Sequence, residues 1–85
     1  MRLWAKIFKE NHLIKDAVVE RFDDTRTHRI LRAVDELCVE WDLGRPLWLD
    51  KNVADFKKRS KTRFVQDNFV EDIDFDYLEI QIIEE

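Results

Sequence analysis

Glycine, proline and cysteine each occur once in these 85 residues, as Gly44, Pro46 and Cys38, and Ser60 is the only serine. Each scarcity excludes something. One glycine cannot build a phosphate cradle, which needs several backbone positions free of a side chain. A lone serine outside any G-x-S-x-G setting leaves no nucleophile elbow. A lone cysteine cannot close an internal disulfide, and nothing cationic is in step with Cys38 to make it a reactive thiolate. It reads as a buried apolar thiol in a reducing, cytoplasmic setting. No stretch approaches the ~20 apolar residues of a membrane span. The opening MRLWAKIFKENH alternates charge with bulk, so no signal-peptide core is expected there.

What is present suffices for one core. Hydrophobic residues make up 45% of the chain and aromatics 12%, which argues against disorder even with 40% charged residues. Residues 1–85 are expected to form a single domain, a size that buries only about 60–65% of the surface its unfolded chain exposes. Net charge is −4, but its distribution says more. Between Lys51 and Phe64, six cations (Lys51, Lys57, Lys58, Arg59, Lys61, Arg63) face only Asp55, whereas Asp67 to Glu85 holds eight carboxylates and no cation.

The strongest periodic signal is one long amphipathic helix, about residues 25–43. At about 100° per residue, Leu37, Ile30, Trp41, Val34, Thr27, Cys38 and Leu31 share one arc, and the charged residues fall outside it. Asp23, Asp24 and Thr25 supply the N-terminal cap. Gly44, with Pro46 beyond it, is the expected stop. The helix charges run against its dipole, with Arg26, Arg29 and Arg32 first and Asp35, Glu36, Glu40 and Asp42 later. An Arg32–Glu36 pair, the basic 51–63 stretch and the acidic tail are the expected compensation.

Residues 2–21 read as a β-hairpin, because Leu3, Ala5 and Ile7 alternate with Arg2, Trp4, Lys6 and Phe8. A two-residue turn at Glu10 and Asn11 would set Lys6 opposite Lys15. A three-residue turn sets Lys6 opposite Asp16, Arg2 opposite Glu20, Trp4 opposite Val18 and Phe8 opposite Ile14. The second register replaces a repulsion with two ion pairs and is the expected one. Its Leu3, Ala5, Ala17 and Val19 face would seat the long helix.

Leu47, Trp48 and Leu49 form an apolar knot expected to close the core. Asp50 is expected to cap a second helix from Lys51 to about Ser60, with Val53 and Phe56 inward. Residues 61–70 fit either a helix continued to Phe64 or a short Thr62–Gln66 strand. The last strand, about Tyr77–Ile83, places Leu78, Ile80 and Ile82 on one face. Ile73, Phe75 and Tyr77 have the opposite parity, so a bulge or a loop-to-strand change is expected at Tyr77. The expected fold is α+β in the order ββααβ, an antiparallel sheet with the long helix packed on one face.

The runs Trp48-Leu49-Asp50-Lys51-Asn52, Lys61-Thr62-Arg63-Phe64 and Asp74-Phe75-Asp76-Tyr77-Leu78-Glu79 are similar to a group of short, uncharacterised bacterial proteins. The resemblance implies a bacterial, cytoplasmic origin. It brings no activity and no catalytic residue.

The chemistry-bearing patterns are weak for catalysis. Asp72, Asp74 and Asp76 would project from one face of a strand as hard-cation ligands. The glycine and final glutamate of a Ca²⁺ loop are missing, and a solvated acidic edge is the expected reading. His12 and His28 have no ligand spacing. No metal, no cofactor and no enzymatic activity is expected. Two binding readings remain. Trp4, Phe8, Ile14 and Val18 form the second hairpin face, which either lies under later chain or serves as an interface for a protein partner or a second copy in a homodimer. Alternatively, Lys57, Lys58, Arg59, Lys61 and Arg63, flanked by Phe56 and Phe64, would contact nucleic-acid phosphates, unless the acidic tail consumes their charge. A protein-interaction module is the expected function.

Overall fold

In the computed structural model, which describes residues 1–85, strands β1 (Arg2–Lys9) and β2 (His12–Glu20) form the N-terminal hairpin. Arg2, Leu3, Trp4, Ala5 and Lys6 lie opposite Glu20, Val19, Val18, Ala17 and Asp16, the register that cross-strand charge favours. The turn that delivers it differs from expectation. Glu10 and Asn11 make a two-residue turn, both with positive φ (52° and 66°), the backbone hand that matches strand twist. A bulge between Ile7 and Phe8 then takes up one residue, so Phe8 faces Leu13 and not Ile14. A short turn and a bulge together give the register of a longer turn.

Helix α1 (Arg26–Glu40) follows, capped by Thr25, whose Oγ1 accepts from the His28 amide at 3.1 Å. It is shorter than the expected 25–43. Asp42 adopts φ 53°, the Leu43 amide donates to the Cys38 carbonyl at 2.8 Å, and that of Asp42 donates to Val39 at 3.3 Å. This is a Schellman closure with aspartate in the usual glycine position. Gly44, the expected stop, has no positive φ; its amide donates to Glu71 Oε1 at 2.7 Å, and a Cβ there would stand 2.8 Å from that oxygen. A side chain at this position would push the Glu71 carboxylate aside.

Helix α2 (Asp50–Arg59) begins one residue earlier than expected, with Leu49 as cap and Asp50 in the first turn. Ser60, at φ 54°, ends it, and strand β3 (Lys61–Phe64) starts at once, followed by a 3₁₀ turn at Gln66–Asn68. Strand β4 (Tyr77–Glu84) completes a four-stranded antiparallel sheet in the order β2-β1-β4-β3. The chain order is therefore ββααββ, not ββααβ. Of the two alternatives for this stretch, the short strand is the one formed, at Lys61–Phe64 and not Thr62–Gln66; four residues are too few for period-2 alternation to show, and Ser60 and Phe64 also continue the helical face.

One sheet face carries Leu3, Ala5, Ile7, Val19, Phe64, Leu78 and Ile80, all buried, and the helices cover it. From α1 come Ile30, Ala33, Val34, Leu37 and Cys38, and from α2 Phe56. Burial, and secondarily Asp35, pushes the Cys38 thiol up to about 11. The expected inward positions Leu31 and Val53 instead stay 42% and 39% exposed. α1 packs on β1 and β2 while α2 packs on β3, so these two side chains open onto the space between the helices.

The reversed charge of α1 is compensated by other partners than those expected. Arg32 reaches Asp23 at 2.9 Å and makes no pair with Glu36, while Arg21 pairs with both Asp23 (2.9 Å) and Glu36 (3.8 Å). Arg45 neutralises Asp35 at 3.3 Å, a role expected of the 51–63 stretch. The acidic tail does contribute, through Glu85 at 3.3 Å from Arg26.

A buried polar cluster holds the second half of the chain together. Asn52 Nδ2 donates to Thr62 Oγ1 and to the Arg63 carbonyl, both at 2.9 Å. Its Oδ1 accepts from the Leu49 amide at 3.1 Å and from Asn68 Nδ2 at 2.7 Å. Asn68 also donates to the Leu47 carbonyl at 2.8 Å and accepts from the Val65 amide at 2.9 Å. Two amide side chains thus tie α2, β3, the 3₁₀ turn and the 47–49 segment, and their hydrogen-bonding groups are satisfied, as burial demands.

Candidate functional site

The other face of the sheet has no covering layer. Trp48, one of the groups expected to fold over it, packs edge-on against Phe56 and Phe64 at 5.7 and 5.1 Å on the helical side. The 64–70 segment sends Phe69 against Phe75 at 6.0 Å, and both belong to the core. Trp4, Phe8, Ile14 and Val18 therefore remain at the surface. Ile14 and Val18, on the edge strand β2, are 54% and 44% exposed.

Strand pairing brings further groups to this face that hairpin reasoning missed. Register places Gln81 opposite Trp4, Glu79 opposite Lys6 and Tyr77 opposite Phe8, with Lys61 and Arg63 beyond them on β3. Phe8 and Tyr77 stack at 5.1 Å. Lys6 Nζ stands 3.9 Å over the Trp4 ring and Arg63 lies 4.5 Å over Tyr77. Between the cations sits Glu79, buried, with Lys6 at 3.0 Å and Arg63 at 3.1 Å. Burial alone would raise the Glu79 carboxyl; the hydrogen bonds from Lys6 and Arg63, with Lys61 nearby, outweigh it and hold the group below its ordinary value. Lys6 thus pairs across β1–β4 and not with Asp16, which accepts instead from Trp4 Nε1 at 2.9 Å. The alternate parity of Tyr77, Glu79 and Gln81 was visible in sequence. That β4 borders β1 was not.

The result is a face of two unlike parts. Toward the β2 edge it is mainly apolar, with Trp4, Phe8, Leu13, Ile14 and Val18 around the single carboxylate of Asp16. Toward β3 it is ionic, with Lys6, Glu79, Arg63 and Lys61. β2 contains no proline and lies at the sheet edge, where the backbone groups on its outer side have no strand partner and another strand can add.

The basic run is divided by the turn at Ser60. Lys57, Lys58 and Arg59 occupy the last turn of α2, favourably placed at the negative end of its dipole. Lys61 and Arg63 lie on the ionic half of the open face. Of these five, only Arg63 has a carboxylate within 4.0 Å. The acidic tail does not serve as their general counter-charge. Its Asp76 accepts from the Glu10 amide at 2.8 Å and its Glu71 from Gly44, at the opposite end of the molecule's connectivity. Lys51, Arg59, Lys61 and Arg63 instead border a polar groove that also contains Asp55, Thr62 and Glu79. Asp72 and Asp74 lie in the loop before β4 and Asp76 immediately precedes that strand, so they do not form the expected strand face. No helix is long and apolar enough to cross a membrane. No known protein family, curated protein or solved structure matches this chain.

Proposed function

We propose that this protein is a non-catalytic interaction module that joins a second copy of itself, or a strand of another protein, along β2 and the apolar half of the open sheet face. The observation that supports it is the uncovered strip of Trp4, Phe8, Ile14 and Val18 beside the edge strand β2. Strand addition would satisfy the free backbone groups of β2 and remove Ile14 and Val18 from water together. A bacterial, cytoplasmic setting belongs to the same proposal and accords with the single buried thiol of Cys38. Light scattering on a sizing column, at two protein and two salt concentrations, tests it. A dimer that tolerates salt and is lost in Val18→Lys and Ile14→Lys is the expected result. A monomer at the highest attainable concentration refutes self-association, and capture of a partner insensitive to both substitutions refutes this face.

A second reading is favoured by a separate observation, the four cations Lys57, Lys58, Arg59 and Lys61 that no carboxylate neutralises. In that reading they contact phosphates of a nucleic acid. Polarisation of labelled single-stranded and duplex oligonucleotides at two salt concentrations decides it. Binding that weakens steeply with salt and is lost when Lys57, Lys58 and Arg59 are replaced by glutamine supports it; no binding at low salt ends it.

A further inference from the structure

The two helices share one sheet face without closing on each other, and the cleft between them is lined by Ile30, Leu31, Trp48, Val53 and Phe56. Its volume is about 320 Å³, within the ~300–1,000 Å³ of small-molecule sites. Leu31 and Val53 are among the exposed large hydrophobics here, and neither faces the interaction strip on the far side of the sheet. The polar groups at the cleft are Arg26, Thr27 and Lys57, and no carboxylate lines it. Arg26 leans over the Phe56 ring at 5.7 Å, and Lys57 has no carboxylate within reach. An apolar body with a cationic rim complements one ligand chemistry above others.

We propose that this cleft binds an apolar monocarboxylate, its hydrocarbon part against Trp48, Leu31 and Val53 and its carboxylate at Arg26 and Lys57. Arg26 already has a carboxylate partner outside the cleft lining: Glu85 Oε1 lies 3.3 Å from Arg26 Nε, while Arg26 also donates to Ser60 Oγ at 3.1 Å. Glu85 therefore competes with the ligand for the same guanidinium. Neutral chains of equal length gain the apolar contacts alone. Cationic ones meet two like charges.

The test is a two-dimensional amide-resonance titration of the full chain with decanoate, decanol and decylammonium, each kept below micelle formation. Decanoate is expected to saturate and to shift the amides of Arg26–Leu31 and Val53–Lys57 and the Trp48 indole resonance. Decanol should bind about two- to five-fold more weakly and decylammonium more weakly still, the range an exposed ion pair supplies. Lys57→Gln should weaken decanoate toward the decanol level, with Arg26 keeping part of the difference, and Glu85→Gln should tighten it by removing the internal competitor. Val53→Trp fills the cleft from a solvent-facing position and should abolish saturation; Leu31→Gln is a second blocking variant if that one fails to fold. Equal affinity for decanoate and decylammonium, shifts centred on Trp4 and Val18, or binding that survives both blocking variants would each overturn the assignment, as would no saturation with decanoate.

Discussion

Replacing Asn52 with alanine should remove a large part of this protein's stability, although the residue is polar. Asn52 is 3% exposed and makes four hydrogen bonds, to the Leu49 amide, Asn68 Nδ2, Thr62 Oγ1 and the Arg63 carbonyl. At about 1 kcal/mol net for each, the gross loss is about 4 kcal/mol. Two partners recover something. Asn68 keeps its bond to the Leu47 carbonyl, and the Thr62 hydroxyl keeps Asp55 at 3.4 Å. The Leu49 amide stands at a helix start and regains water. A net cost of about 2–4 kcal/mol follows, against a total of about 4–13 kcal/mol for a domain of this length. Thermal unfolding should fall by roughly 10–25 °C, since about 1 kcal/mol moves the midpoint of a 60–100-residue domain by 4–8 °C. Urea titration followed by circular dichroism measures the free energy directly. Asn68→Ala and the double variant complete a cycle in which the two losses are strongly non-additive. A loss below about 1 kcal/mol for Asn52→Ala, or simple additivity with Asn68→Ala, would refute the view that this cluster is one cooperative fastening.

Asp42→Gly should stabilise the protein by about 0.5–1 kcal/mol, because Asp42 holds φ 53° at the end of α1, where glycine meets no Cβ penalty; an unchanged urea midpoint would contradict this. Acid should destabilise the fold between about pH 4 and pH 2. The Arg21 hydrogen bond, with Arg32 adding to it, lowers the Asp23 carboxyl to about 2. The folded state thus binds that proton less tightly than the unfolded state, so its contribution is complete above the ordinary value and is lost as pH falls from there through the folded-state value of about 2. Urea midpoints measured across this range should decline, and Asp23→Asn should flatten the decline. Glu79→Ala should cost about 1–3 kcal/mol, less than a fully buried pair because Arg63 is largely in water, and urea denaturation measures it. Cys38 should resist a thiol reagent at neutral pH and react at the rate of unfolding, since burial both shields it and raises its pKa to about 11; rapid modification of the native protein would contradict its placement.

The parts of the fold legible in sequence were those governed by local rules. The hairpin register followed from Arg2–Glu20 and from avoiding Lys6–Lys15, and the structure keeps it although the turn is one residue shorter. Helix α1 followed from the spacing of Ile30, Val34, Leu37 and Cys38. Non-local decisions were hidden. Leu31 lies on the helical stripe, but its burial depended on how far α2 stands from α1. The partner of Lys6 depended on which strand borders β1, and the answer, Glu79, lies 73 positions away in the chain. No local pattern marked Asn52, inside the expected second helix, or Asn68, in the 61–70 stretch, yet their side chains build the buried cluster. Of the candidate face, Trp4, Phe8, Ile14 and Val18 were legible from alternation; Tyr77 and Arg63 joined them only through the order of strands.

That order also bears on how the protein is made. β1 is synthesised well before β4, yet they are neighbours in the middle of the sheet. Until Tyr77–Glu84 is available, the hairpin has a second open edge, and β3, four residues long, has nothing to pair with. The nascent chain therefore holds Leu3, Ala5 and Ile7 against α1 alone, with both flanks of the hairpin able to recruit strands from neighbouring chains. Closure by β4 is a late, all-at-once event that joins two halves of the polypeptide. A chain interrupted before Tyr77 would lack at least residues 77–85 and, with them, the strand that covers the β1 flank of the hairpin.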